Sequence, residues 1–356
     1  MPCKTDDLSF LHGGDIYRIR RLYGKEPLDF SSNINPLGIS KKVKDVILKN
    51  LKDITIYPDP GSYDLIKKIA EHHDIKEESI LLGNGSSSLI YLIMNTLRPK
   101  KVAIFVPCFS EYERAALACS CKIKFVYLNE NDGFNIPSLS KDMDTLFISN
   151  PNNPTGNLLI KERKIDLPKG LIVIDETYMD FLEDQKNHSF VSIAERDDRI
   201  VVIRSFTKFF AIPGLRLGYL VSHPSIINKL KANEPPWPIN TFAQLAGCVL
   251  LDDKDYIQRT YRLIKKERDF LYDEISKIDG LKPYHSVANF ILVKIKKDGI
   301  GSPMLADTLL KRGIYIRDCS NFRNLDSKCF RIGIRIHKDN MKLIEELNIL
   351  FGGMIR

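Results

Sequence analysis

A lysine at position 208 stands among aromatic residues, in the run Ser205-Phe206-Thr207-Lys208-Phe209-Phe210, with an arginine eight positions on at 216. An amine in apolar surroundings loses solvation of its ammonium form. Its pKa falls, and it becomes a nucleophile near neutral pH. The structural alternative is a lysine that lays its stem along the aromatics and sends its charge to water. Gly83-Asn84-Gly85-Ser86-Ser87-Ser88 precedes the apolar run LIYLIMNTL. Such a turn at a helix start presents N–H groups and hydroxyls that suit a phosphate, or is an ordinary turn and N-cap. Ser205, Thr207 and Arg216 can close round the same phosphate, Arg216 through charge-assisted bonds. Asp175 ends the run GLIVID and can hold a proton on a heterocyclic nitrogen, or simply cap or pair at the surface.

Elements must bring these residues together. KVAIFVP (101–107), KIKFVYL (122–128), DTLFISN (144–150), GLIVIDE (170–176), RIVVIRS (199–205) and LGYLVS (217–222) read as strands. Many are apolar throughout, the pattern of parallel strands covered on both faces. Helix-like or loop stretches alternate with them. SYDLIKKIAEHH (62–73) reads as an amphipathic helix, and residues 81–97 pass from a glycine-rich turn into an apolar helix. The middle of the chain is therefore α/β with a mostly parallel sheet. Ligands of such sheets bind outside the carboxyl ends of the strands, where SNPNNPTG (149–156), DETY (175–178) and SFTK (205–208) all fall. Beyond Ser222 the pattern predicts a long helix over 255–278. Strands at 289–295, 313–318 and 329–335 and a terminal helix over 338–351 follow, a smaller α+β domain. The expected large domain spans 40–240. The small one combines 1–39 with 241–356.

Bulk composition fits this picture. The chain has 356 residues, a length that suits two domains. No run approaches the ~18 apolar residues of a membrane helix, and the N-terminus has no apolar leader. The seven cysteines include no C-x-x-C pair, so neither a metal site nor a disulfide framework is expected, and a reduced cytoplasm is the default. The net charge of +8 is spread along the chain rather than clustered, so no nucleic-acid partner is expected.

Taken jointly, a phosphate cup, a carboxylate for a ring nitrogen and an amine that forms a Schiff base are what pyridoxal 5'-phosphate needs. S-x-T-K-x-x-x-x-P-G-x-R-x-G-Y (205–219) resembles the lysine motif of fold-type I aminotransferases of class I/II. NPNNPTG and DETY resemble that superfamily's other signatures, in the same order. The resemblance covers nearly the whole chain. It implies the aspartate aminotransferase fold, a large sheet domain with a smaller α+β domain. It implies that Lys208 holds the cofactor covalently and that Asp175 pairs with the pyridine nitrogen. Tyr178 and Asn153 would bond the ring hydroxyl, and Phe109 would stack on the ring. Gly85, Ser86, Ser87, Ser205, Thr207 and Arg216 would hold the phosphate. Tyr57 would reach the neighbouring subunit's cofactor, which implies a homodimer. Arg331 would grip a substrate carboxylate.

Two subfamilies resemble this chain most: L-threonine-O-3-phosphate decarboxylases and histidinol-phosphate aminotransferases. HGGD (12–15) with LDFSSNINPLG (28–38), EPPWPINTFAQLAG (234–247) and GIYIRDCSNFRNLDSKCFRIGIR (313–335) are similar to the decarboxylases. That likeness implies decarboxylation of threonine phosphate to aminopropanol phosphate for cobalamin synthesis, with His12, Asn33, Asn153, Arg317 and Arg331 as substrate ligands. The alternative it leaves is transamination of histidinol phosphate. A non-enzymatic regulator built on this fold would carry a winged-helix module, which the motifs leave no room for ahead of residue 28.

Overall fold

The apolar runs in the middle of the chain become one sheet. In the computed structural model, which describes residues 12–24, 26–137, 143–163 and 170–352, a short strand β1 (Leu28–Asp29) precedes it. The sheet comprises β2 (Ile80–Asn84), β3 (Lys101–Val106), β4 (Lys122–Tyr127), β5 (Thr145–Ser149), β6 (Leu171–Asp175), β7 (Ile200–Ser205) and β8 (Leu217–Ser222). Their spatial order is β2-β8-β7-β6-β5-β3-β4. The pairs from β4 through β7 are parallel; β8 runs antiparallel to both β7 and β2. Successive side chains on a strand face opposite ways. Ile104, Phe147, Val173 and Val201 therefore pack on one face with helices Ser86–Leu97, Glu111–Ala118 and Pro224–Lys231. Phe105, Ile148, Ile174 and Val202 fill the other. Both faces of the central strands β3, β5, β6, β7 and β8 are covered, which is why their runs are mostly apolar; the edge strand β4, with Lys122 and Lys124, is only partly covered.

Two local readings change. LLGNG is not a turn: Ile80–Asn84 is an edge strand paired with β8. The glycine is there for packing, because a Cβ at Gly83 would lie 2.4 Å from Leu89 Cγ of the following helix. GIYIRD is not one strand either. β11 (Ile314–Tyr315) pairs in parallel with β1, and after buried Ile316 the chain passes to a second ladder as β12 (Arg317–Asp318). That ladder is an antiparallel sheet of order β12-β13-β10-β9, with β9 (Leu281–Pro283), β10 (Phe290–Ile295) and β13 (Cys329–Gly333).

The long helix forms over Lys254–Ser276 and packs on β9, β10 and the terminal helix His337–Phe351. Its first turns also hold the N-terminal segment around residues 35–38 and the end of the Lys208 helix. Tyr256 Oη donates to Gly38 O at 2.9 Å, and Asn35 Nδ2 donates to Thr260 Oγ1 and Phe209 O, each at 2.7 Å. The carboxyl ends of β3, β5, β6 and β7 thus face the β12–β13 edge of the second sheet across one cavity. No helix among the described residues is long and apolar enough to cross a membrane.

Candidate active site

That cavity measures about 710 Å³. His12, Asn33, Ser86, Ser87, Phe109, Asn153, Asp175, Tyr178, Thr207, Lys208, Arg216, Arg317 and Arg331 line it, residues drawn from both sheets and the N-terminal segment.

Asp175 sits at its floor, buried at the end of β6. Thr177 N donates to Oδ1 at 2.9 Å and Tyr112 Oη to Oδ2 at 2.6 Å. Burial raises the Asp175 pKa, and those donors oppose the rise. A carboxylate so placed is completed by a cation, and a protonated ring nitrogen supplies one. Sequence reading passed over Tyr112. Its signal was its place three residues after Phe109 in VPCFSEY, at the start of the following helix. It is buried, stacked on Phe147 at 5.2 Å, and anchors Asp175 from below.

At the opposite side Gly85 has φ +75°, and a Cβ there would lie 2.2 Å from Arg216 Nη2. Only glycine lets the guanidinium close so tightly on the turn. Helix Ser86–Leu97 has no side-chain cap, and Ser86 and Ser87 of its first turn line the cavity together with Arg216. This arrangement suits a phosphate. Ser205 is set back: its hydroxyl lies 2.8 Å from Thr207 Oγ1 and caps the short helix Phe206–Phe209, while Thr207 lines the cavity.

Lys208 lies half-buried in that helix. Its pKa is pushed down to about 8, first by burial and then by the Arg331 and Arg216 charges, with Asp29 opposing. The amine is thus primed for covalent chemistry. Phe109 offers its ring at the cavity wall, 5.4 Å from the ring of His12. Asn33 Nδ2 donates to Tyr178 Oη at 3.0 Å. Burial raises the Tyr178 pKa, and the Arg331 charge and the Asn33 bond oppose it.

Arg331 donates to Asn153 Oδ1 and, at 3.0 Å, to Ser31 O, while its buried Nε has no partner. Directly across the β12–β13 ladder from it stands Arg317. Facing residues of an antiparallel pair point to the same side, and like charges so placed are unfavourable unless an anion lies between them. Arg317 donates to Asn321 Oδ1 at 2.8 Å and lies 5.0 Å over the Phe322 ring. His12 Nε2 pairs with Glu111 Oε1 at 2.9 Å. Tyr57 lies outside this cavity, exposed and stacked on Trp237 at 4.5 Å. With those positions fixed, Lys208, Asp175, Asn153, Tyr178 and the Gly85–Arg216 cup fit pyridoxal phosphate by charge and by space.

Comparison with known proteins agrees. The chain is 37% identical over 351 residues to a putative threonine-phosphate decarboxylase of Caldanaerobacter subterraneus, covering 96% of this chain and 94% of that one. It is 36% identical to the threonine-phosphate decarboxylase of Salmonella typhimurium, covering 96% and 97%. The histidinol-phosphate aminotransferase structure from Clostridium acetobutylicum superposes with a TM-score of 0.83 at 35% identity, over 92% of this chain and all (100%) of that one. A structure of the Sinorhizobium meliloti histidinol-phosphate aminotransferase in complex with pyridoxal-5'-phosphate shares the fold, with a TM-score of 0.85 at 19% identity over 100% and 99%. Residues 25–347 match the family described as aminotransferase class I and II, and the chain belongs to that pyridoxal-phosphate-dependent family.

Proposed function

We propose that this chain decarboxylates L-threonine-O-3-phosphate, giving (R)-1-aminopropan-2-yl phosphate for cobalamin synthesis. The observation that carries the reading is the Arg317–Arg331 pair, two buried guanidiniums facing each other across one ladder beside His12. A substrate with a phosphate and a carboxylate supplies an anion for each. Likeness over nearly full length to two threonine-phosphate decarboxylases supports the same choice.

Bound pyridoxal phosphate supplies an electron sink for the bond broken at the substrate's Cα. This chain's residues direct that sink. Asp175, held by Tyr112 and Thr177, would keep a proton at the ring nitrogen. Asn153 and Tyr178 would hold the ring hydroxyl, Phe109 would cover the ring, and the Gly85–Arg216 cup would take the phosphate. Arg331 takes the substrate carboxylate, while Arg317 and His12 take its phosphate. Two-point holding would fix the torsion about Cα, and with it which bond at that carbon breaks. In the proposed reaction the Cα–carboxylate bond breaks, CO2 leaves, and a proton arrives at Cα. Lys208, whose amine lines the same cavity with a lowered pKa, is placed to move that proton.

A homodimer completes this reading. Tyr57, exposed beside Trp237, would extend into the partner's cavity as in the family motif it resembles. The second reading, transamination of histidinol phosphate, is favoured by the 35% identity to the Clostridium enzyme. Comparing kcat/KM for threonine phosphate with amino transfer from histidinol phosphate to 2-oxoglutarate separates the two. Decarboxylation predominates if the proposal holds. Faster amino transfer overturns it.

A further inference from the structure

Two segments far apart in sequence cover the cavity, and both fasten to the first turn of one helix, Glu111–Ala118. That helix begins two residues after the Phe109 shelf. From the N-terminal side, His12 pairs with Glu111, whose carboxylate also accepts from Tyr91 Oη and Arg114 Nη1, each at 2.9 Å. From the other side, the loop after β12 brings Arg323 to Glu113 in a two-point contact, Nη2 to Oε1 at 2.7 Å and Nε to Oε2 at 3.3 Å. The Arg323 guanidinium also lies 4.0 Å over the Phe125 ring. One residue on, Asn324 has φ +71° and its amide bridges the ends of two parallel strands, donating to Leu128 O at 2.6 Å and Val106 O at 3.2 Å. The same loop holds Arg317 through Asn321 and Phe322.

We propose that Glu113, Arg323 and Asn324 are positioning residues: they clasp the 320–325 loop over the cavity and so set the place of Arg317 against the Phe109 shelf. The inference rests on the reading that Arg317 binds the substrate's phosphate. None of the three needs to touch the reacting atoms. A lone exposed ion pair contributes little, but here the pair is bidentate, rests on an aromatic face and adjoins two amide bonds to strand-end carbonyls. All three contacts join the β12 side of the molecule to the β3–β4 side. Opening them separates the phosphate ligand from the ring shelf and admits water, while Asp175, Lys208 and the Gly85 cup stay on the other strands.

The test uses cofactor-loaded Glu113→Arg, Arg323→Glu, the double swap, and Asn324→Gly, which keeps the left-handed backbone and loses the amide. Two quantities are read: the rate at which hydroxylamine captures the lysine-bound cofactor, and KM for threonine phosphate. Each single variant is expected to raise both about tenfold with kcat and cofactor affinity little changed, and the swap to restore both. Capture is independent of the substrate's identity, so failure of the decarboxylase reading leaves it interpretable, with KM then read on histidinol phosphate. Single variants that match the parent in capture and KM overturn the clasp. So does a swap no better than the worse single variant.

Discussion

The cavity makes a quantitative demand on Lys208. With its pKa near 8, about 9% of the amine is free at pH 7, against about 0.03% for an unperturbed lysine, a gain of roughly 300-fold in nucleophile. Burial is the larger cause, and the Arg331 and Arg216 charges add to it. The direct assay is a pH titration of 13C-labelled lysine side chains in cofactor-free protein, with the Lys208 resonance assigned by its loss in Lys208→Met. One midpoint near 8 is expected, standing apart from the surface lysines. In Arg331→Gln that midpoint moves up, because a repelling charge has gone, but stays below the normal lysine value because burial and Arg216 remain. A Lys208 midpoint at or above about 10 refutes the reasoning, since an ordinary lysine titrates there. A midpoint unmoved by Arg331→Gln refutes the charge contribution alone.

Gly85→Ala places a methyl 2.2 Å from Arg216 Nη2 on a backbone with φ +75° and ψ 161°, a region only glycine occupies readily. Pyridoxal phosphate affinity, read by fluorescence titration, should fall about 5–150-fold, the equivalent of the ~1–3 kcal/mol of strain. Arg317→Met removes a charge-assisted anion contact worth about 2 kcal/mol, so KM for the phosphorylated substrate should rise about 30-fold with the cofactor spectrum unchanged. Glu111 has its pKa lowered to about 2, chiefly by the His12 bond, with Tyr91 and Arg114 assisting. A depressed carboxylate stabilises the fold above its unfolded pKa of 4.5 and loses that contribution as pH falls through 2. Discounted for solvent screening at the cavity mouth, the contribution is about 1–2 kcal/mol. Denaturant midpoints measured from pH 5 to 2.5 should therefore fall less steeply in Glu111→Gln than in the parent.

The strand runs and the residues at their carboxyl ends were readable because burial on both faces leaves an unbroken apolar signature, and the chemistry lies just after it. Asp175 and Lys208 are each found that way, whereas Asn153 is singled out only by the resemblance of NPNNPTG to the superfamily's signature. Features that depend on long-range contact were not readable. Gly83 looks like a turn until Leu89 is seen against it. Tyr112 looks like one more helix tyrosine until its hydroxyl reaches Asp175. GIYIRD looks like one strand until Ile316 sends its halves to different ladders. The Arg317–Arg331 register and the fastening of Arg323 to Glu113 depend on pairing between distant segments, which no local pattern encodes. Ser205 has a motif position that implies a phosphate ligand, while its contact with Thr207 Oγ1 at 2.8 Å is a local bond that the motif does not encode.

The measurement that bears most directly on the account follows two bonds at one carbon. Cofactor-loaded protein is given L-threonine-O-3-phosphate carrying 13C in the carboxyl group and deuterium at Cα. Decarboxylation predicts that the label leaves as 13CO2 and that the deuterium stays in aminopropanol phosphate, with one solvent proton added beside it. Deuterium washed into solvent, with the 13C kept in a 2-oxo acid, would contradict the account and make this cavity a transaminase site.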